Sequence, residues 1–142
     1  MAMNQTLMHT IAIIHRGLYR LTGGSLGANL GGRPMLLLTT TGRKSGKQRP
    51  TPLQYLQDGE NMVVVASNGG NKNHPAWWRN LQANPEATAQ AGKKVTKVRA
   101  ETANDEERAR LWPLLLKAYR GYQDYEDETE RTIPVVVLKP QA

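Results

Sequence analysis

The sequence predicts an α+β fold: a small, mostly antiparallel β-barrel with flanking helices. Three observations predict it. Short apolar and β-branched runs separated by turn residues recur over 35–67 and 87–138. Only two internal stretches, 76–83 and 104–119, carry helix caps or helical spacing. The whole chain is 142 residues with no internal repeat, the size of one domain around one core.

Taken in order, residues 4–21 place Leu7, Met8, Ile11, Ile14, Leu18 and Leu21 three and four apart, which predicts an amphipathic helix ended by Gly23 and Gly24. Residues 22–33 hold five glycines and read as a connector, giving an expected division into a helix and connector over 1–33 and a barrel over 34–142. A buried strand over 35–40, a turn at 42–46, a returning strand over 52–56 and a turn at Asp58-Gly59 into 62–67 make a meander. The loop 68–75 leads to a short helix, with Pro75 suited to its start and Asn84-Pro85 to its stop. Strands follow over 87–90 and 95–101. Asn104 then caps a helix running to about Tyr119, with acids in its first turn and Lys117 and Arg120 near its end, as the helix dipole favours. Residues 133–138 are the last strand.

Composition narrows the chemistry. There are no cysteines, so no disulfide or thiolate chemistry, and His9, His15 and His74 have no ligand spacing, which argues against zinc. No apolar run approaches the roughly 20 residues of a membrane span, and the first residues lack the basic start and cleavage site of a signal peptide, so a cytoplasmic location is expected. Charge is the most uneven property: residues 1–57 carry seven basic and no acidic residues, and 58–142 carry twelve of each. Such a field attracts polyanions: nucleic acid, an anionic membrane, or a phosphorylated small molecule.

The charge concentrates in TTTGRKSGKQRPTP, residues 39–52, where Arg43, Lys44, Lys47 and Arg49 surround Gly42 and Gly46. This is either a solvated hairpin tip or a phosphate site in which glycines let amides converge, arginine supplies a fork and Ser45 a hydroxyl. It is no Walker loop, because the GxxxxGK[ST] spacing is absent and the turn joins two strands. Pro50 and Pro52 remove two ladder donors and mark an edge or a ligand-lining strand.

With that turn, ASNGGNKNHPAWWRNLQANP (66–85) and WPLLLKAYRGYQDYEDETERTIPVVVLKP (112–140) in view, the sequence resembles the deazaflavin-dependent nitroreductases of actinobacteria, which are similar to the FMN-binding split β-barrel oxidoreductases. The resemblance runs from Leu36 to Pro140. It implies coenzyme F420, a deazaflavin ending in a phosphate and an oligoglutamate tail, with FMN as the alternative. Carried onto this chain, Arg43, Lys44, Ser45 and Arg49 would hold the phosphate, and Lys47, Arg20 and Arg33 would meet the tail. Thr51 and Pro52, the segment Val65, Ala66 and Ser67, and Gly69 and Gly70 would border the ring, and Ala76 and Trp77 would close the pocket. For Trp78 a packing role is preferred.

A reduced deazaflavin donates hydride, so the protein needs few reactive groups of its own. Tyr119, Tyr122 and Tyr125 recur every third residue, and the resemblance implies that they line the substrate pocket, Tyr122 or Tyr125 polarising the acceptor or donating a proton, with Ser67 bonded to the same oxygen. The competing reading packs Tyr119 in the core and exposes Tyr125. Gln54 stands where the nitroimidazole-reducing member carries a tyrosine, which points to a quinone or enone acceptor ahead of a nitro compound. The N-terminal helix reads as a packed cap or as an anchor in loose contact with an anionic membrane. A non-catalytic carrier of a fatty acid or another cofactor is the rival function. A nucleic-acid binder is disfavoured, because the chain has no Phe and its aromatics lie apart from the basic turn.

Overall fold

The computed structural model describes residues 29–30, 33–68, 73–127 and 131–141. The expected helix over 4–21, with the membrane reading attached to it, and the ring-bordering Gly69 and Gly70 lie outside the described residues.

The described chain is one curled antiparallel sheet with three helices. Its strands are β1 (Asn29–Leu30), β2 (Arg33–Thr41), β3 (Gln48–Gln54), β4 (Leu56–Asp58), β5 (Asn61–Val65), β6 (Glu86–Ala91), β7 (Lys94–Thr102) and β8 (Val135–Pro140), and its helices are α1 (Ala76–Ala83), α2 (Asp105–Ala118) and α3 (Gly121–Asp127). The order β1-β2-β6-β7-β8-β5-β4, with β3 also paired to β2, makes the half-barrel expected of a split-barrel protein. Two expectations are corrected. Part of the glycine-rich connector is strand, since Asn29 and Leu30 pair with Pro34 and Arg33. The strand expected to start at 52 starts at Gln48 and includes both prolines, opposite Thr39 and Leu37. It tolerates them because its ladder runs to β2 alone, so a missing donor can face the open edge.

Alternation along the strands splits the apolar residues into two cores. Leu36, Leu38, Val64, Ala66, Ala89, Val98, Val136 and Leu138 face the barrel interior, where Trp77 and Leu81 of α1 close it. Their neighbours Val63, Val65, Val135 and Val137 face the opposite side, against Leu111 and Leu115 of α2 and Tyr122 of α3. The site is therefore built at one end of the barrel, where α1 meets the β2–β3 turn.

α2 begins as expected, with the Asn104 side chain accepting from the Glu107 amide at 2.9 Å and three acids in the first turn. It does not continue through the three tyrosines. Tyr119 is extended, and the chain restarts at Gly121, where a Cβ would collide with the Tyr119 ring folded back over it. No described helix is long and apolar enough to cross a membrane.

Candidate functional site

The β2–β3 turn is a closed knot of its own hydrogen bonds. The Gly42 amide donates to the Lys47 carbonyl at 2.7 Å, the Gly46 amide donates to the Gly42 carbonyl at 2.8 Å, and the Lys47 amide donates to Ser45 Oγ at 3.2 Å. Gly46 sits at φ +72°, which favours glycine, and a Cβ on Gly42 would come within 2.9 Å of Ser45 Oγ. The glycines therefore shape the turn, and their amides are used within it. Whatever holds an anion here is mainly side chain.

Those side chains frame a cleft of about 570 Å³ lined by Arg43, Lys44, Ser45, Arg49 and Thr51 from the hairpin and by Ala76, Trp77 and Asn80 from α1. No acidic residue lines it, and none of its three cations is ion-paired with a described residue. Arg49 Nη2 reaches Ser45 Oγ at 3.5 Å, which draws the second arginine toward the turn. The first turn of α1 borders the cleft with no side-chain cap at Pro75, so the helix's positive end adds to the field. An arginine pair, a lysine, a hydroxyl and a helix start, with no competing carboxylate, fit a phosphate group. The neighbouring Trp77 and Thr51 fit the flat group such a phosphate would carry.

The anchor of this arrangement was not expected from the sequence. Asn80, 3% exposed, accepts from the Arg43 amide at 3.2 Å and from Arg43 Nη1 at 3.0 Å, and its own Nδ2 donates to the buried Thr40 hydroxyl at 3.1 Å. The one available signal was an asparagine between Trp77 and Leu81 on the buried face of a short helix, where an amide has to find partners.

The end of β5 lies across the two cores. Val65 belongs to the core that holds Tyr122 and Ala66 to the one that holds Trp77, so their side chains point into protein on opposite faces, leaving the backbone and Ser67 as the groups a ligand beside this segment would meet. Arg131 holds this segment: its Nη2 donates to the Ala66 and Ser67 carbonyls at 3.1 and 2.7 Å, and its Nη1 meets His74 Nδ1 at 3.0 Å. Because a guanidinium only donates, His74 Nδ1 accepts and the ring proton sits on Nε2. Burial, the Arg131 charge and the Arg79 charge, in that order, hold the His74 pKa below its ordinary 6.5. The His74 ring lies 4.3 Å from Trp78, which packs against the first core and whose buried indole Nε1 has no partner among the described residues. Neither Arg131 nor His74 was singled out from the sequence; both act over a separation that no local pattern carries.

The three tyrosines do come together. Tyr119 and Tyr125 share a hydroxyl–hydroxyl bond of 3.0 Å, and Tyr122 meets Tyr119 edge-on at 4.9 Å between ring centres. Tyr122 is 7% exposed in the second core, and Tyr119 and Tyr125 pack against that core half-buried. None of the three lines the cationic cleft, and Gln54 and Pro52 lie further along β3 than its lining.

The model of the family described as F420H(2)-dependent quinone reductase matches residues 12–140. The chain is 45% identical over 108 residues to the Mycobacterium tuberculosis protein Rv3178, covering 76% of this chain and 91% of that one. It is 40% identical over 129 residues to the F420H(2)-dependent quinone reductase Rv1261c of the same organism, covering 88% and 87% of the two chains. Among solved structures, that of an F420-H2 dependent reductase (FDR-A) superposes with a TM-score of 0.70 at 42% identity, covering 75% of this chain and 95% of that one. With the match spanning nearly the whole sequence and the fold agreeing, the chain belongs to the F420H(2)-dependent quinone reductase family.

Proposed function

We propose that this chain is an F420-dependent reductase that transfers hydride from reduced F420 to a quinone, and that the cationic cleft is where it holds the coenzyme's phosphate. The observation that carries the reading is the cleft itself, in which Arg43, Lys44 and Arg49 meet the start of α1 with no carboxylate among the lining residues. A cluster serving only solubility has no need of a helix start and a buried asparagine behind it. The coenzyme, when bound, supplies the hydride from its reduced deazaflavin ring.

The protein's part is to bind, orient and exclude water. Arg43 and Arg49 offer planar forks to phosphate oxygens, Lys44 adds a point charge and Ser45 a hydroxyl. Thr51 and Pro52 along β3 and the β5 end with Ser67 border the ring, and Ala76 and Trp77 wall it off from solvent. The acceptor is held over the ring by Gln54 and by the tyrosine cluster. Within that cluster we assign the polarising or proton-donating role to the hydroxyl pair of Tyr119 and Tyr125, with Tyr125 facing the acceptor oxygen. Either hydroxyl of that pair can be the donor, and a phenol O–H aimed at the acceptor oxygen would stabilise the charge that develops there. Buried Tyr122 holds the two rings in place.

The test is turnover. Reduced F420 is mixed with menadione, cyclohexenone and a nitroimidazole in turn, and its oxidation is followed by absorbance. The reading predicts fastest oxidation with menadione, and a Tyr125→Phe protein that turns over at least about tenfold slower at unchanged coenzyme affinity. A wild-type protein that binds F420 and oxidises it with none of the three would restore the carrier reading. Full activity in Tyr125→Phe would remove that tyrosine from the chemistry.

A further inference from the structure

We infer that Asn80 is a positioning residue that pre-sets Arg43 for a phosphate-bearing ligand and ties the anion site to α1. The inference rests on the cleft being the coenzyme's phosphate site. Asn80 need not touch the ligand. Its amide is buried and turned inward, with both ends engaged. The orientation of that amide is settled by its partners: Arg43 only donates, so Oδ1 faces it, and Nδ2 faces the Thr40 hydroxyl.

Three consequences follow from this geometry. Arg43 is a long side chain on an exposed turn, and ordering it on binding would cost affinity. With its amide and Nη1 both held by one oxygen, much of that ordering is already done, and Nη2 and Nε have no partner among the described residues. Thr40 lies across the ladder from Arg49, so the same asparagine grips the root of the strand pair that carries the second arginine. Finally, Asn80 is on the helix whose first turn borders the cleft, so it fixes the helix start and the cationic turn relative to each other. A neutral amide suits this position. A carboxylate would hold Arg43 equally well but would neutralise it toward the ligand.

The experiment is a double-mutant cycle on binding. The full chain is titrated as wild type, Asn80→Ala, Arg43→Ala and the double variant, with F420, with phosphate-free 5-deazariboflavin, and with inorganic phosphate. Asn80→Asp, which keeps the shape and lets the Thr40 hydroxyl donate to it, is the control should Asn80→Ala fold poorly, and thermal melts accompany every variant. The expected result is a roughly tenfold weaker F420 affinity in Asn80→Ala, and a larger loss in Asn80→Asp. In the Arg43→Ala background, replacing Asn80 should cost much less affinity, only the share carried through Thr40 and α1, and deazariboflavin binding should be unchanged throughout. Equal losses from Asn80→Ala with and without Arg43, or an equal loss toward deazariboflavin, would overturn the inference while leaving the F420 reading intact. A wild type that ignores F420 but binds inorganic phosphate through Asn80 and Arg43 would do the reverse. Binding of neither anion would overturn both.

Discussion

The two ends of this molecule treat charge in opposite ways. At the β2–β3 turn, Arg43, Lys44 and Arg49 stand around a cleft without an acid in its lining. At the α2–α3 end, two arginines are matched by acids: Arg108 pairs with Glu126 at 2.5 Å and stacks 4.4 Å from the Trp112 ring, and Arg110 grips Asp58 at 2.7 Å and Glu107 at 3.2 Å. The paired cations join neighbouring elements of the fold, and their charges cancel locally. The cleft's cations have no ion-pair partner among the described residues and repel one another, so their use lies in what they attract. The same residue types thus serve structure where acids accompany them and binding where acids are excluded.

The contrast can be broken at either end. The largest effect belongs to the second core, where Leu111→Ala removes a fully buried side chain and should cost about 2–5 kcal/mol of stability in chemical denaturation, with coenzyme affinity unchanged at temperatures where the variant remains folded. At the cleft, Arg49→Ala should weaken F420 binding roughly ten- to hundredfold, the worth of hydrogen bonds to a charged group, while moving the melting temperature little. An Arg49→Ala protein that binds F420 normally would remove the cleft from the account.

A smaller effect is expected from pH. Burial and the Arg131 and Arg79 charges lower the His74 pKa in the fold, so the unfolded chain takes up the proton first as pH falls. The corresponding stability is fully present above the ordinary value of 6.5 and is lost as pH drops through the lowered folded value. Melting temperatures should therefore decline from pH 7.5 to 5, and His74→Gln, which keeps an acceptor for Arg131, should flatten that decline. The smallest effect is that of Asp58→Asn. The Arg110 hydrogen bond holds the Asp58 pKa below its ordinary value, yet the pair is exposed on the arginine side and solvent screens it, so little stability is lost. The loss should be invisible in F420 titrations.

Much of this was legible in the sequence because it is local. The α2 cap is written in Asn104 and the three acids after it, and the special turn in Gly42 and Gly46 among four cations. The charge imbalance that predicts an anion is a count, and the order of residues from 66 to 85 and 112 to 140 carries the family. What could not be read is long-range. Arg43 meets Asn80 across 37 positions and Arg131 meets Ser67 across 64, and no spacing rule reaches that far. Prolines at 50 and 52 hid the start of β3, because their tolerance depends on which strand edge is open, a property of the sheet. The tyrosines were grouped correctly by a period that the backbone does not follow, since a break at Gly121 and packing on the second core bring their rings together.

The central claim is that the acid-free cleft exists to hold the anionic end of F420, and titration of the protein with oxidised F420 across a salt series, with FMN in parallel, tests it most directly. The account predicts tight F420 binding that weakens steadily as salt rises, a shallower salt dependence in Arg49→Ala, and weaker binding of FMN. F420 affinity that is indifferent to salt and to Arg49 would contradict it.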